Sequence, residues 1–386
     1  MDLLRIQEAL RREKLDGWLF FDHHVRDPLA YRILGLPAGH VTRRWYYLIP
    51  AQGEPRGLMH RIESHVISSL PGEKSQYSSW QEQHAGVGIL LKGLKRVAMQ
   101  YSPLCAIPYV AMVDAGTIEL VRSVGVEVAS SAELIQEFEA SLSETQFATH
   151  LEAGRRIDRI CAESFRFIGD NLSSSVNEVM VQDWIMRQFR AGGMVTDNAP
   201  IVGVNAHAGD PHYDPTPQTS SLIRPGDFVL LDMWAKLDQP DSVYYDITWT
   251  GFCGEAPDRV RSVFEIVRDA RDRAIDAVSS AIAAKREIRG FEVDDAARTH
   301  IRERGFGDRF VHRTGHSIGG EVHGTGANMD NLETHDERRI LPGALFSIEP
   351  GVYLEDFGVR SEVDVFVTAR SASTTGAVQR ELVRIG

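Results

Sequence analysis

FVLLDMWAKLDQPDSVYYDITWTG, residues 228–251, reads as two strands joined by a turn. Phe228–Ala235 and Val243–Gly251 are rich in aliphatic and aromatic residues, and LDQPDS between them is made of turn formers. Each strand holds one acidic residue, Asp232 in the first and Asp246 in the second. A hairpin centred near Gln239 sets these aspartates opposite each other, with Cβ atoms roughly 5 Å apart, where like charges are destabilising. Their apolar neighbours predict partial burial as well. Two adjacent buried carboxylates need a shared proton or a cation between them. The alternative is that one of them simply caps the turn.

A second stretch, LFSIEPGVYLEDFGVRSEVDVFVT at 345–368, follows the same plan. Strands over Leu345–Tyr353 and Val359–Thr368 carry Glu349 and Glu362 across the turn LEDFG, and Pro350, lacking an N–H, disturbs the ladder between them. Working outward, each strand pair is preceded by two helices and a histidine-bearing loop. Helical patterns over Glu144–Asn171 and Val176–Ala191, the latter with Ser175 and Glu178 as a capping box, precede a loop with His212. A helix with Val260, Val263, Phe264, Val267, Ala270, Ala274 and Val278 at helical spacing, and another over Val293–Arg304, precede His312, His316 and His323. The repeated order of helix, helix, histidine loop and strand pair reads as an internal duplication folded as two pseudo-symmetric halves around one cleft. Asp232, Asp246, Glu349 and Glu362 then occupy equivalent places, and His316, in the glycine-rich run TGHSIGGEVHG, is the nitrogen donor between them. These four carboxylates carry a charge that two divalent ions balance and one does not. A set of oxygens with a single imidazole favours Mn²⁺, Co²⁺, Fe²⁺ or Zn²⁺ over soft-ligand metals.

The rest of the chain bounds the class of protein. Its 386 residues suffice for two domains, since domains commonly run to about 100–200 residues. The boundary falls near Glu139–Ser143, giving units of 1–140 and 141–386. The first alternates short helices and strands, among them Gly17–Phe21, Arg44–Ile49 and Arg96–Gln100. His24 and His40 in it read as surface or turn residues. The acidic balance, 54 Asp+Glu against 42 Lys+Arg for a net charge of −12, argues against nucleic acid or an anionic membrane as partner. The amino terminus lacks the basic-then-apolar pattern of a signal peptide, and no run of about 18 apolar residues predicts a membrane helix. Cys105, Cys161 and Cys253 are too few and too scattered for a disulfide framework, which fits the cytoplasm.

The segments PHYDPT, LLDMW…YYDIT, TGHSIGGEVHG, SIEPGVY and GVRSEVD together resemble the successive motifs of the pita-bread metallopeptidases, a family that includes aminopeptidase P, prolidase and methionine aminopeptidase. The likeness covers the whole carboxy-terminal part, and the amino-terminal part is similar to the extra domain of the creatinase/aminopeptidase P type. The resemblance implies an α+β architecture: a pita-bread catalytic domain of two pseudo-symmetric halves after a smaller α/β creatinase-like domain. It implies that Asp232 binds one metal, that Asp246 and Glu362 bridge two, and that His316 and Glu349 complete the second. The ions are then Mn²⁺ or Co²⁺, with Zn²⁺ or Fe²⁺ as further candidates, and a hydroxide bridging them is the nucleophile. Glu349 accepts its proton, and His212 and His323 hydrogen-bond the substrate and the tetrahedral intermediate, with a purely structural role as the alternative for each histidine.

By the same resemblance His312 shapes a proline pocket, and Arg360 orients Asp232 or Asp246 or reaches a substrate carboxylate. His207 has no counterpart and reads as a solvent-exposed loop histidine. The implied reaction is hydrolysis of Xaa-Pro bonds in dipeptides or short peptides by a cytoplasmic homodimer. A creatinase-like or metal-dependent hydrolase of a small non-peptide C–N bond, and a non-catalytic binding protein of the same fold, are the other readings. Creatinase-like members work without metal and lack the ligands, and non-catalytic members usually lose the acidic ones, whereas all five are kept here; a metal-using hydrolase of another small amide or ring stays open. Two departures concern the rim of the site: Trp249 stands where the family often has arginine, on the strand face opposite Asp246, and the turn between the aspartates is longer than usual.

Overall fold

The computed structural model describes residues 1–37 and 39–386 and divides into two compact units, Met1–Glu139 and Ala140–Gly386. The first unit runs through helix α1 (Leu3–Arg12), strand β1 (Gly17–Asp22), helix α2 (Pro28–Leu34), and strands β2 (Trp45–Pro50), β3 (Arg56–His60) and β4 (Glu73–Tyr77). Helix α3 (Trp80–Leu90), strand β5 (Arg96–Met99), helix α4 (Ala115–Ser123), strand β6 (Glu127–Ser130) and the short helix α5 (Ala132–Ile135) follow. The sheet order is β4-β3-β2-β1-β5-β6, and only β2 runs against the rest. Strand β1 is buried throughout because both faces are covered. Trp18 and Phe20 pack with α1 and α2 on one side, Leu19 and Phe21 with α3 and α4 on the other.

The second unit begins with α6 (Glu144–Asn171), held by a capping box in which Gln146 N donates to Ser143 Oγ at 3.2 Å and Ser143 N donates to Gln146 Oε1 at 3.0 Å. Helix α7 (Glu178–Ala191) starts differently from the expectation. Ser175, in the left-handed region at φ +58°, closes the turn Leu172–Ser174 and does not cap α7; Asn177 Oδ1 does, accepting from Met180 N at 2.9 Å. Glu178 is wholly buried instead, and its carboxylate accepts hydrogen bonds from Val204 N, Tyr213 Oη and Ser221 N at 2.7–2.8 Å. Strands β7 (Met194–Val195), β8 (Ile201–Val204), β9 (Phe228–Leu237) and β10 (Tyr245–Cys253) come next. Helices α8 (Asp258–Ala283) and α9 (Gly290–Glu303) then precede β11 (Leu345–Ile348), β12 (Gly351–Tyr353), β13 (Gly358–Arg360), β14 (Val363–Val367), β15 (Ala372–Thr374) and β16 (Val383–Ile385).

Period-two alternation along β9 and β10 explains how the halves face each other. Val229, Leu231, Met233, Tyr245 and Ile247 pack under α6 and α7, whereas Phe228, Leu230 and Phe252 join the core built by α8 and α9. Asp232 and Asp246 are on that second face, turned toward the other half. In the other half Phe346, Ile348, Val363 and Val365 enter the α8–α9 core, leaving Glu349 and Glu362 on the opposite face.

The register of β9 with β10 corrects the sequence reading. Asp232 pairs with Thr248 and Asp246 with Trp234, so the two aspartates are diagonal neighbours. The cause is tertiary: β7 pairs with Trp234's strand as far as Leu237, and Val243 N donates to Thr149 Oγ1 at 3.1 Å on α6. The turn closes later, with Asp241 at φ +58°. In the second pair Pro350 does interrupt the ladder. The β11–β14 and β12–β13 pairings share one register, and Glu349 and Glu362 sit opposite each other at the break between them. Their amides are used elsewhere: Glu349 N donates to Thr314 O at 2.7 Å and Glu362 N to Thr248 O at 3.2 Å.

Candidate metal centre

Five side chains from the two halves converge. Asp246, His316 and Glu362 each offer a ligand atom, and these atoms lie within 4.8 Å of one another. His316 Nε2 is 3.6 Å from Asp246 Oδ2 and 3.4 Å from Glu349 Oε1. The imidazole is aimed by its backbone: His316 N donates to Ser347 Oγ at 3.0 Å and Ser347 N donates to His316 O at 2.9 Å. Nδ1 lies 3.2 Å from Ser317 O, which leaves Nε2 free toward the carboxylates. Glu349 accepts from Ser347 Oγ at 3.2 Å and Glu362 from Thr248 Oγ1 at 2.7 Å. Asp232 joins the cluster through Arg360, whose Nη2 donates to Asp232 Oδ2.

This cluster is electrostatically incomplete by itself. Burial, and then the neighbouring acids, push Asp246 and Glu362 well above the ordinary carboxyl range. Burial lifts Glu349 to about 7, and it raises Asp232 despite the opposing Arg360 charge. Burial and the adjacent His323 hold His316 well below the usual imidazole value, so it stays a neutral donor. Asp246 Oδ1 is buried and has no hydrogen-bond partner. Carboxylates crowded beyond what one arginine can balance, a neutral imidazole nitrogen and an orphaned buried oxygen together fit divalent cations.

A hydrogen-bonded relay supports the cluster. His312 Nε2 is 2.7 Å from Tyr353 Oη, and Arg360 donates from Nη1 to Tyr353 Oη at 3.1 Å and from Nε to Thr248 Oγ1 at 3.0 Å. Arg360 thus orients Asp232 while its other bonds go to Thr248, Tyr353 and, at 3.5 Å, Pro211 O. His312 is half-buried with both nitrogens occupied, Nδ1 being 2.7 Å from Arg313 O, and burial lowers it to about 3. His323 is exposed, its ring edge-on to His316 with centroids 4.4 Å apart. His212 is exposed on its loop, where its N donates to Asp210 Oδ1 at 3.0 Å, within electrostatic reach of Asp232 and His323.

His207 departs from the expected exposed loop position. It is partly buried, 2.8 Å from Glu178 Oε1 and stacked on Tyr213 at 4.2 Å. Together with Glu178 it ties down the loop that carries His212. Trp249 does lie on the face away from Asp246, packed against the α6–α7 core. Thr248, Tyr353 and Asp364 were missed from the sequence. Thr248 and Asp364 each follow a carboxylate ligand candidate by two residues on the same strand face, which was a usable signal. Asp364 Oδ2 accepts from Asp246 N at 2.9 Å.

The family model for Metallopeptidase family M24 matches residues 151–369, more than half of the chain. This chain belongs to metallopeptidase family M24. Among M24 relatives, the Xaa-Pro dipeptidase of Pyrococcus furiosus is 35% identical over 162 residues, covering 42% of this chain and 43% of that protein. The match thus spans less than half the length of that relative. The probable dipeptidase PepE of Mycobacterium tuberculosis is 25% identical over 91% of this chain and 88% of its own. The crystal structure of dipeptidase PepE from Mycobacterium ulcerans superposes with a TM-score of 0.69 at 24% identity, covering 99% of this chain and 96% of that one. The shared fold is an N-terminal α/β domain followed by the M24 pita-bread catalytic domain, as the motifs implied.

Proposed function

We propose that this M24 protein is a dinuclear metal-dependent peptidase that hydrolyses Xaa-Pro bonds in dipeptides or short peptides. The observation that carries the reading is the buried gathering of Asp246, Glu349 and Glu362 about the neutral His316 nitrogen, with Asp232 joined through Arg360 and Asp246 Oδ1 unpartnered among the described residues. The Xaa-Pro dipeptidase relative supports the substrate class. In this reading Asp232, Asp246, His316, Glu349 and Glu362 would together hold two divalent ions. Mn²⁺ or Co²⁺ before Zn²⁺ or Fe²⁺, bound there, would supply Lewis acidity and a water of lowered pKa as nucleophile at neutral pH.

The chain's own groups do the rest. Glu349 takes a proton at its carboxylate from the attacking water and returns it to the departing nitrogen. His212 and His323, exposed beside the cluster, donate hydrogen bonds to the substrate carbonyl as it becomes tetrahedral. His312, held by Tyr353, walls the proline ring, and Arg360 keeps Asp232 ionised and oriented. A cytoplasmic homodimer belongs to the same proposal; the only membrane observation is that no helix among the described residues is long and apolar enough to cross one.

The test is a metal analysis paired with a substrate panel. Under saturating Mn²⁺ or Co²⁺ the protein is expected to hold about two ions per chain and to cleave Xaa-Pro dipeptides or longer Xaa-Pro peptides, with Glu349→Ala abolishing turnover. Fewer than two ions, or full activity in the Glu349→Ala variant, would sink the proposal.

A further inference from the structure

The carboxyl ends of β1, β3 and β4 in the first unit open into a cavity of ≈ 930 Å³ that the peptidase reading leaves unused. His23 just beyond β1, His60 at the end of β3 and Tyr77 at the end of β4 line it. These three strands run in the same direction, and the crevice outside carboxyl strand ends is where α/β sheets characteristically bind ligands. The volume falls within the ~300–1,000 Å³ common for small-molecule sites.

Its charge is opposite to that of the chain, whose net charge is −12. Arg26, Arg43 and Arg44 line the cavity. Among the described residues, Arg26 and Arg44 make no ion pair and no side-chain hydrogen bond, and Arg43 reaches only Thr42, at 3.0 Å to its hydroxyl. The nearby acids are already committed. Asp114 caps α4, accepting from Thr117 N at 2.9 Å and Thr117 Oγ1 at 2.8 Å, and Glu63 accepts from the amides of Thr42 and Arg43 at 2.9–3.1 Å. Asp114 and Glu119 set two carboxylates against the three guanidinium groups, so the lining stays net positive. Partial burial, and after it the neighbouring charges including Arg26, holds His23 below its ordinary pKa. On the wall, Trp80 leaves 63% of its surface exposed. Gln83 is wholly buried with one amide atom bound to Tyr46 Oη at 2.6 Å and the other without a partner.

Guanidinium forks match phosphate and carboxylate oxygens, and an exposed indole beside them offers a stacking surface for a ring. We infer that this pocket binds a small molecule carrying a phosphate or carboxylate group on a flat ring system, held by Arg26, Arg43 and Arg44 and stacked on Trp80. The site is independent of the peptidase reading and stands or falls separately from it.

Isothermal titration of the metal-loaded full chain with adenosine monophosphate and with quinolinate tests it, and the tighter of the two tells phosphate from carboxylate as the recognised group. At least one is expected to saturate with Kd below ~1 mM, and adenosine, which lacks the anion, is expected to bind at least ten-fold more weakly than the monophosphate. The Arg26→Ala/Arg44→Ala double variant, altered only at exposed side chains, should weaken the binding at least ten-fold, and Trp80→Ala should weaken it several-fold. Glu349→Ala should leave it unchanged. No saturation by either anion overturns the inference, as does binding that survives the double arginine variant or disappears with Glu349→Ala, since an anion lost with Glu349 is sitting at the carboxylate cluster.

Discussion

Replacing Arg360 by methionine separates what the arginine does from what the cations do. Arg360 is buried, and among the described residues its guanidinium is the one cationic group hydrogen-bonded to Asp232. Breaking a buried pair by removing one partner costs about 3–5 kcal/mol. Asp232 can escape part of this by taking a proton, and that escape limits the loss to about 5 kcal/mol at pH 7.5 for an acid of ordinary pKa, at ~1.36 kcal/mol per unit. With two divalent ions in the cluster, Asp232 is already compensated, and what remains is the loss of hydrogen bonds to Thr248 Oγ1 and Tyr353 Oη, together ~1–3 kcal/mol. Because two compact units need not unfold together, a global midpoint is a poor reporter. Hydrogen exchange of peptides covering β9, β10 and β14 reads the local opening free energy instead. Without metal, Arg360→Met should speed exchange there by about 140–4,000-fold, and under saturating Mn²⁺ by only ~5–140-fold, at ~1.4 kcal/mol per factor of ten. By linkage the variant should then bind the ions more tightly than the wild type by the difference between the two penalties. An equal acceleration in both states, or weaker metal binding in the variant, would refute the reasoning that ions and arginine share the neutralisation of Asp232.

Two further predictions rest on other parts of the fold. His150 on α6 is buried between Tyr244 O and Thr375 Oγ1, both at 2.7 Å, and burial lowers its pKa to about 4 from 6.5. Its separation of 4.0 Å from Asp364 is no ion pair, because burial pushes both groups toward their neutral forms. Below pH 6.5 the unfolded chain takes the proton and the folded one does not, so stability present above 6.5 is lost down to about pH 4, ~3 kcal/mol in all. In hydrogen exchange of peptides covering α6, the wild-type-minus-His150→Gln difference in opening free energy should fall by that amount across the window, and a flat difference would remove His150 from the account. Gly315→Ala would put a Cβ 1.9 Å from Ser347 O, against a segment pinned by bonds between Gly315 and Met329. Overpacking of this kind costs about 1–3 kcal/mol and must displace His316, so a chelator competition should show at least ten-fold weaker Mn²⁺ binding; unchanged affinity would mean that the imidazole is not a ligand.

Much of this site is legible in one dimension. The run of helix, helix, histidine loop and strand pair, twice over, is local periodicity, and alternation along a strand settles which residues share a face without reference to anything distant. That is why Asp232 and Asp246, Glu349 and Glu362, and the turned-away Trp249 could be assigned to faces from their positions alone. Register, partners and charge state are another matter. The hairpin pairs Asp246 with Trp234 because β7 and Thr149, tens of residues away in the chain, hold its turn. Glu178 resembled a helix cap and became the buried anchor of the His212 loop, because Val204, Tyr213 and Ser221 bring their donors to it. The path from His312 through Tyr353 and Arg360 to Asp232 links residues up to 128 positions apart. The sequence by itself determined which groups could meet on one face. Only the tertiary structure decided which do meet, and how far burial in a low-dielectric interior drives their carboxyl groups toward a bound cation, since desolvation depends on every atom packed around them and not on their neighbours in the chain.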